Sequence, residues 1–269
     1  MKVGFISLGC SKNLVDTEHM MGALIEAGHE IVNTPELADA VIVNTCGFIT
    51  DAKREAISNI VEMGLLKEQG KFRILIAAGC LAQRYPEELL QEMPELDAVI
   101  GVKDYLRIPV ILKECEAGKR PRAVGGWPQE YSHQYKRLVS TPPGWAYLKI
   151  AEGCNNHCTY CAIPGIRGPL RSRPAVELVQ EARDLAAGGV KELVLVAQDS
   201  TAYGLGSGRE ACLPHLVKQL ADIDGIEWIR ILYAYPTSDP RQLLTVLTSN
   251  KVVPYLDVPL QHGSDRILR

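Results

Sequence analysis

The sequence predicts an α/β protein, an N-terminal open parallel α/β sheet domain followed by a partial βα barrel. Three observations predict it. Short apolar runs rich in β-formers alternate with stretches whose apolar residues recur at helical spacing, and parallel strands need crossover helices because no tight turn can join them. Residues 119–143, rich in Gly and Pro and without a sustained period, interrupt this alternation. The βα rhythm then resumes with fewer strands than a barrel of six or eight units requires.

In the first part, Val3–Leu8 reads as a buried strand. Leu14, Met21, Leu24 and Ile25 mark a helix that Gly28 ends. Val41–Val43 is a second strand, with Ala52, Ala56, Ile57, Ile60 and Val61 on the face of the next helix. Ile74–Ala78 is a third strand, followed by a short helix over Pro86–Glu92. Ala98–Ile100 is a fourth, leading into a helix near Lys103–Glu116. These elements define a domain over residues 1–118. Residues 119–143 read as a linker or, equally, as an irregular cap on that domain. The barrel part, 144–269, has strands expected at Ala146–Ile150, Glu192–Ala197, Ile229–Leu232 and Tyr255–Val258. Helices carrying Leu178, Val179, Ala182, Leu185 and Ala186, then Leu213, Leu216, Val217 and Leu220, then Leu243, Leu244 and Leu247, separate these strands. Ser264 is a good N-cap for a helix that is only beginning at Arg269, so the sequence reads as truncated inside the barrel.

Composition excludes several classes. With 46% hydrophobic and 23% charged residues the chain is not intrinsically disordered. No apolar run approaches the ~18 residues that a membrane span needs. The opening MKVGFISLGCSKN reads as a buried strand rather than a signal peptide, so a cytoplasmic protein is expected. A net charge of −3 weighs against a broad nucleic-acid-binding face.

The eight cysteines carry the chemical signal. Without an export signal they point to metal or redox chemistry rather than disulfides. Cys154, Cys158 and Cys161 form a C-x3-C-x2-C loop just after a strand. Three thiolates so close repel one another unless a metal offsets their charge. Zinc loops usually pair two C-x2-C units, and no second pair exists here, so an iron–sulfur cluster with one open iron is the better reading. Cys10, Cys46 and Cys80 each close one of the first three expected strands, in GFISLGC, VIVNTCG and ILIAAGC. Strand carboxyl ends share one edge of an open parallel sheet, where ligands bind, so these three should converge. Singly each reads as a small buried hydrophobe, and together as a second three-cysteine cluster site. Cys115 and Cys212 have no such company and read as structural.

The C-x3-C-x2-C loop following a strand resembles the radical S-adenosylmethionine superfamily, and with the upstream triplet it is similar to the methylthiotransferases. Ser7–Asp16 (SLGCSKNLVD), Ala162–Arg173 (AIPGIRGPLRSR) and Asp257–Asp265 (DVPLQHGSD) resemble the RimO branch, which modifies an aspartate β-carbon in protein twelve of the small ribosomal subunit. The tRNA-modifying MiaB branch usually differs after the first cysteine and at the position of His262. The resemblance implies two [4Fe-4S] clusters, a radical one on Cys154, Cys158 and Cys161 and an auxiliary one on Cys10, Cys46 and Cys80. It also implies S-adenosyl-L-methionine, an external electron donor such as a flavodoxin, a ribosomal-protein substrate and no nucleic-acid substrate. Tyr160 would touch adenine or simply pack. Gln198 and Asp199 would contact cofactor, and Gln261 and His262 substrate, or all four cap the helices that follow. No acid or base catalyst is expected, because radical abstraction needs none. Arg167, Arg171 and Arg173 would meet an acidic partner or form a solvated basic loop. A non-catalytic two-cluster electron carrier is the remaining reading, weakened because carriers usually ligate each cluster with four cysteines. Family chains continue into further barrel strands and a small β-barrel TRAM domain, so this chain is expected to hold clusters but to cleave S-adenosylmethionine poorly.

Overall fold

The computed structural model describes residues 1–126, 137–205, 213–235 and 240–268. Two compact units emerge from the packing of the chain. Among the described residues the first takes in 1–126, 137–140 and 158–168, and the second takes in 141–157 and those from 169 onward. Residues 127–136 of the expected linker and Cys212 lie outside the described residues.

The first unit runs β1 (Lys2–Ser7), α1 (Ser11–Glu26), β2 (Glu30–Val32), β3 (Ala40–Thr45), α2 (Thr50–Glu68), β4 (Ile74–Gly79), α3 (Cys80–Arg84), α4 (Pro86–Glu92), β5 (Ala98–Ile100), α5 (Ile108–Glu116) and β6 (Arg122–Ala123). The later segment α6 (Ile163–Arg167) also packs with this unit. All six strands are parallel, in spatial order β2-β1-β3-β4-β5-β6. The chain leaves β1 for the edge strand β2 and returns on the other side of β1 as β3, which makes a switch in strand order between β1 and β3. Ligands of open α/β sheets bind at such switches, outside the strand carboxyl ends.

The central strands β3 and β4 are buried along their whole length, which is why they read as continuous apolar runs. Their side chains alternate between two cores. Ala40, Ile42, Ile74, Ile76 and Ala78 pack with Met20, Ala23 and Leu24 of α1 and with Ile108, Ile111 and Leu112 of α5. Val41, Val43, Leu75 and Ala77 face the other way, onto Ala56, Ile60 and Met63 of α2 and Leu89 of α4. The α2 face is therefore turned from the expected one: Ile57 and Val61 are 42% and 45% exposed, and Met63 replaces them inside. The edge strands β2 and β6 are three and two residues long, too short for a periodic signal. The second of them arises inside the expected linker.

The second unit contains β7 (Trp145–Lys149), β8 (Ala151–Glu152), β9 (Arg171–Ser172), α7 (Ala175–Ala187), β10 (Glu192–Val196), α8 (Leu213–Ala221), β11 (Trp228–Ile231), α9 (Pro240–Leu247) and α10 (Asp265–Leu268). β7, β10 and β11 form a parallel sheet in the order β11-β10-β7, with Leu193 beside Ala146 and Ile229, and Leu195 beside Leu148 and Ile231. Leu178, Ala182 and Leu185 of α7 and Leu213, Leu216, Val217 and Leu220 of α8 are buried. β8 and β9 make a short antiparallel pair at the end of this sheet.

One expected element does not form. Tyr255–Val258 is not a strand; the chain there makes a single parallel bridge, Ile229 to Val252, and Asp257 holds Tyr233 and Ala234 through its carboxylate and carbonyl. Pro254 and Pro259 bracket the segment and remove two donors from any ladder, and Tyr255 and Leu256 are about half exposed. Among the described residues no helix is long and apolar enough to cross a membrane.

Candidate functional site

The sheet of the first unit brings Cys10, Cys46 and Cys80 to one edge. Cys10 is the residue before α1, Cys46 directly follows β3, and Cys80 opens α3 directly after β4. β1, β3 and β4 are neighbours, so the three thiols stand at the carboxyl ends of three adjacent strands, beside the switch point.

Glycines draw the three loops together. A Cβ on Gly9 would stand 2.9 Å from the Cβ and 3.4 Å from the Sγ of Cys46, and one on Gly47 would stand 2.8 Å from the Cys80 carbonyl. Gly79 has φ +94° and ψ −152°, a conformation essentially reserved for glycine. It lets β4 end against Thr45 and turn at once into α3.

A buried polar hub lies beneath the thiols, in the first turns of α1. The Asn13 side-chain amide donates to the carbonyls of Leu8 (3.1 Å) and Thr45 (2.9 Å), tying the ends of β1 and β3 together. Asn44 donates in turn to the Asn13 carbonyl and to Thr17 Oγ1, both at 2.8 Å. The Asn13 side-chain oxygen accepts from Cys80 Sγ at 3.5 Å and from Arg167. Arg167 itself makes two bonds to Asp16 Oδ2, at 3.1 and 3.2 Å. Sequence periodicity missed this hub, because polar residues on a helix ordinarily mark its solvated face. Here Asn13, Asp16, Thr17, Glu18 and His19 are all buried. Glu18 also accepts from the backbone and hydroxyl of Ser140.

Environment separates the thiols. Cys80 is buried, and burial pushes its pKa up to about 11 against the opposing charge of Arg167. Cys10 is exposed; partial desolvation by its neighbours works upward, but the charges of Lys12 and Arg167 and the backbone N–H groups of Asn13 and Lys12 outweigh it, and the net shift is downward. Cys115 lies apart in the core under α5.

The second triplet lies on the loop after β8. The division between the two compact units falls inside it, between His157 and Cys158. On the Cys154 side Gly153 has φ +79° and His157 φ +49°, so the loop turns sharply twice. Two asparagines pin it: Asn155 Oδ1 accepts from the Leu170 N–H at 3.0 Å, and Asn156 Nδ2 donates to Asp199 Oδ2 at 2.9 Å. Cys158 and Cys161 are joined by a backbone bond of 2.9 Å, and all three cysteines are half-buried. Among the described residues no group of three or more His, Cys, Asp or Glu is arranged around a single metal ion. Cys10, Cys46 and Cys80, at the ends of three adjacent strands, fit a group that spreads its thiolates over separate irons.

The remaining candidates divide. Asp199 is engaged internally, capping the 3-10 turn at Ser200–Ala202 through Thr201 and holding Asn156. Gln198 donates to Glu152 Oε1 at 2.6 Å, while its own Oε1 is buried without a hydrogen-bond partner. Glu152 completes a buried ion pair with Lys149 at 2.9 Å that the sequence reading passed over. A Lys-x-x-Glu at the end of an apolar strand was its only visible signal. Tyr160 is 64% exposed. Gln261 and His262 are exposed and make local contacts, His262 Nδ1 accepting from Ser264 N–H. They do not end a strand, because the strand expected before them is absent. Arg167, Arg171 and Arg173 form no basic surface: all three are buried, Arg173 on Glu181 at 2.6 Å, because each finds internal partners that outweigh solvation.

The fold and the C-x3-C-x2-C loop are those of an α/β protein of radical S-adenosylmethionine type. Residues 148–269 match the family model of the radical SAM superfamily, and residues 2–101 match that of the uncharacterized protein family UPF0004. The chain is similar to the ribosomal protein uS12 methylthiotransferases RimO of Syntrophomonas wolfei (53% identity over 100% of this chain and 62% of that protein), Thermoanaerobacter sp. (48%, over 99% and 61%) and Symbiobacterium thermophilum (49%, over 100% and 56%). It thus spans about three fifths of the length of these curated relatives. Among solved structures it shares its fold with the radical S-adenosylmethionine methyltransferase TsrM of Kitasatospora setae (TM-score 0.67, 14% identity, 99% of this chain and 60% of that one). The cobalamin-dependent radical enzyme OxsB shares it too (TM-score 0.61, 12% identity, 91% and 41%). The chain belongs to the RimO branch of the radical S-adenosylmethionine methylthiotransferase family. Membership of the superfamily carries with it S-adenosylmethionine and a [4Fe-4S] cluster.

Proposed function

We propose that this chain is the cluster-binding, radical-generating part of an enzyme that adds a methylthio group to the β-carbon of an aspartate in ribosomal protein uS12. The observation that carries the reading is the gathering of Cys10, Cys46 and Cys80 at the ends of three adjacent strands, in a chain that separately carries the C-x3-C-x2-C loop. Cys154, Cys158 and Cys161 would hold the radical cluster, and Cys10, Cys46 and Cys80 an auxiliary one. When bound on the loop, a [4Fe-4S] cluster with one open iron supplies the site that holds S-adenosylmethionine and the electron that cleaves it.

The chain's own groups prepare that loop. Asn155 and Asn156 fix its entry against Leu170 and Asp199, so the first thiolate is presented without a search through loop conformations. Glu152, neutralised by Lys149, orients the Gln198 amide, and the unpartnered Gln198 oxygen is suited to accept from an ammonium group such as that of S-adenosylmethionine. Tyr160, exposed between two ligands, presents an aromatic face that suits an adenine ring. Gln261 and His262 remain the candidates for the substrate side. The reading places the protein in the cytoplasm, with uS12 as its partner and a flavodoxin-like reductant as electron donor.

Anaerobic reconstitution tests it. About eight irons per chain are expected, falling to about four when either cysteine triplet is replaced by alanine. Gln198→Ala should weaken binding of S-adenosylmethionine to the reconstituted protein while leaving the iron content unchanged. After reaction with reductant and S-adenosylmethionine, mass spectrometry should find the methylthio group on uS12. Modified tRNA beside untouched uS12, or four irons in the unmodified chain, would overturn the proposal.

A further inference from the structure

We infer that Arg167 is a positioning residue for the three-cysteine site of the N-terminal sheet, and that its guanidinium, held by Asp16 and Asn13, raises the reduction potential of the cluster bound there. The inference rests on the assignment of a cluster to Cys10, Cys46 and Cys80.

Arg167 is 1% exposed and is among the largest fully buried side chains described. Its place in the chain, six residues beyond Cys161, does not foretell this, yet α6 packs with the first unit: Ile166 and Ala162 rest on Cys80 and Val102. A guanidinium carries five donors in a rigid fork, and here Asp16 Oδ2 accepts two bonds and Asn13 Oδ1 another. The same Asn13 Oδ1 accepts from Cys80 Sγ at 3.5 Å, so guanidinium and sulfur meet at one oxygen. Asn13 cannot turn away, since its amide nitrogen is committed to the ends of β1 and β3. The positive charge is therefore fixed beside the sulfurs.

Stability alone does not account for it. A buried ion pair is commonly no more stabilising than apolar residues of equal volume. Its effect on a neighbouring redox group is direct, however. Three thiolates on a cluster leave the site negative, and each electron added makes it more so. A fixed cation in a low-dielectric surrounding stabilises that reduced form. Asp16 opposes the effect, but the guanidinium is held against the same Asn13 Oδ1 that accepts from Cys80 Sγ, which sets the positive charge next to the sulfur. The arrangement is thus a dipole with its positive end toward the thiols.

The test uses the 269-residue chain with Cys154, Cys158 and Cys161 replaced by alanine, so that a single cluster is present, and reads its midpoint potential by EPR-monitored titration. Arg167→Gln should lower the potential and Asp16→Asn should raise it, with iron held at about four per chain. Arg167→Lys, which keeps the charge but not the fork, should fall between Arg167→Gln and the parent. Opposite shifts from the two partners of one ion pair are not what a merely structural contact produces. Should Arg167→Gln fail to fold, the Asp16→Asn/Arg167→Gln double variant leaves no unpaired buried charge, and it too should lie below the parent. Potentials unchanged at full iron content would overturn the inference. A parent that binds no iron would instead overturn the cluster assignment beneath it.

Discussion

Gly79→Ala is the sharpest test of how the sheet builds its cysteine edge. The backbone there, φ +94° and ψ −152°, costs an L-residue about 1–3 kcal/mol. The added methyl would stand 2.6 Å from the Thr45 carbonyl, which belongs to the β3–β4 ladder and cannot retreat, and would also strike the Asn44 side-chain oxygen. Overpacking of this kind adds about 1–3 kcal/mol, so a loss of about 2–6 kcal/mol is expected. Because Asn44 holds Asn13 and Thr17, and Gly79 immediately precedes Cys80, the damage should also reach the thiols. Gly118→Ala is the control. Its φ is also positive, +75°, but nothing lies within 4 Å of the added carbon, so it should cost about 1 kcal/mol. Urea unfolding of the metal-free protein, followed by circular dichroism, gives both values. Reconstitution then gives the iron retained by the Cys10, Cys46 and Cys80 set. If Gly79→Ala is no more damaging than Gly118→Ala, or leaves iron retention unchanged, the close-approach argument is wrong.

Two further expectations concern buried charge. Lys149→Met should destabilise the second unit by about 3–5 kcal/mol, because Glu152 is left charged and 2% exposed, and adding Glu152→Gln should recover most of the loss; a double-mutant cycle measures the coupling. Cys115 has its pKa raised to about 12 by burial, with Asp97 and Glu114 adding to the rise. Its contribution to stability is intact below pH 9, the ordinary value. Between pH 9 and about 12 it is lost, since the unfolded chain releases the proton that the folded chain keeps. The difference in stability between the parent and Cys115→Ser should therefore change with pH in that window, by at most about 1.4 kcal/mol per unit, and a flat difference would contradict the burial argument.

Much of the fold is legible in the residues. β3 and β4 are buried on both faces and must be apolar throughout, so Val41–Val43 and Ile74–Ala78 announce themselves without neighbours. Both cysteine triplets are visible because thiol spacing on a loop, and thiol placement after successive strands, are local facts. Less legible were Tyr255–Val258, whose apolar run resembles a strand but whose flanking prolines and exposure leave it only an isolated bridge nearby, and the inner face of α2, where a broad apolar surface hides which edge turns inward.

What the sequence alone determined is the alternation of strands and helices, the six cysteines of the two sets and the family they mark. All of these follow from spacing along the chain. What only the tertiary structure decided is which polar residues are interior. Arg167, Asp16 and Asn13 are charged or polar, and by composition they belong to the surface. They are buried because α6, more than a hundred residues away in sequence, packs on Cys80 and Val102 and brings the Arg167 guanidinium to Asp16 and Asn13. Burial of a charge depends on partners brought from a distance, and no local pattern records them.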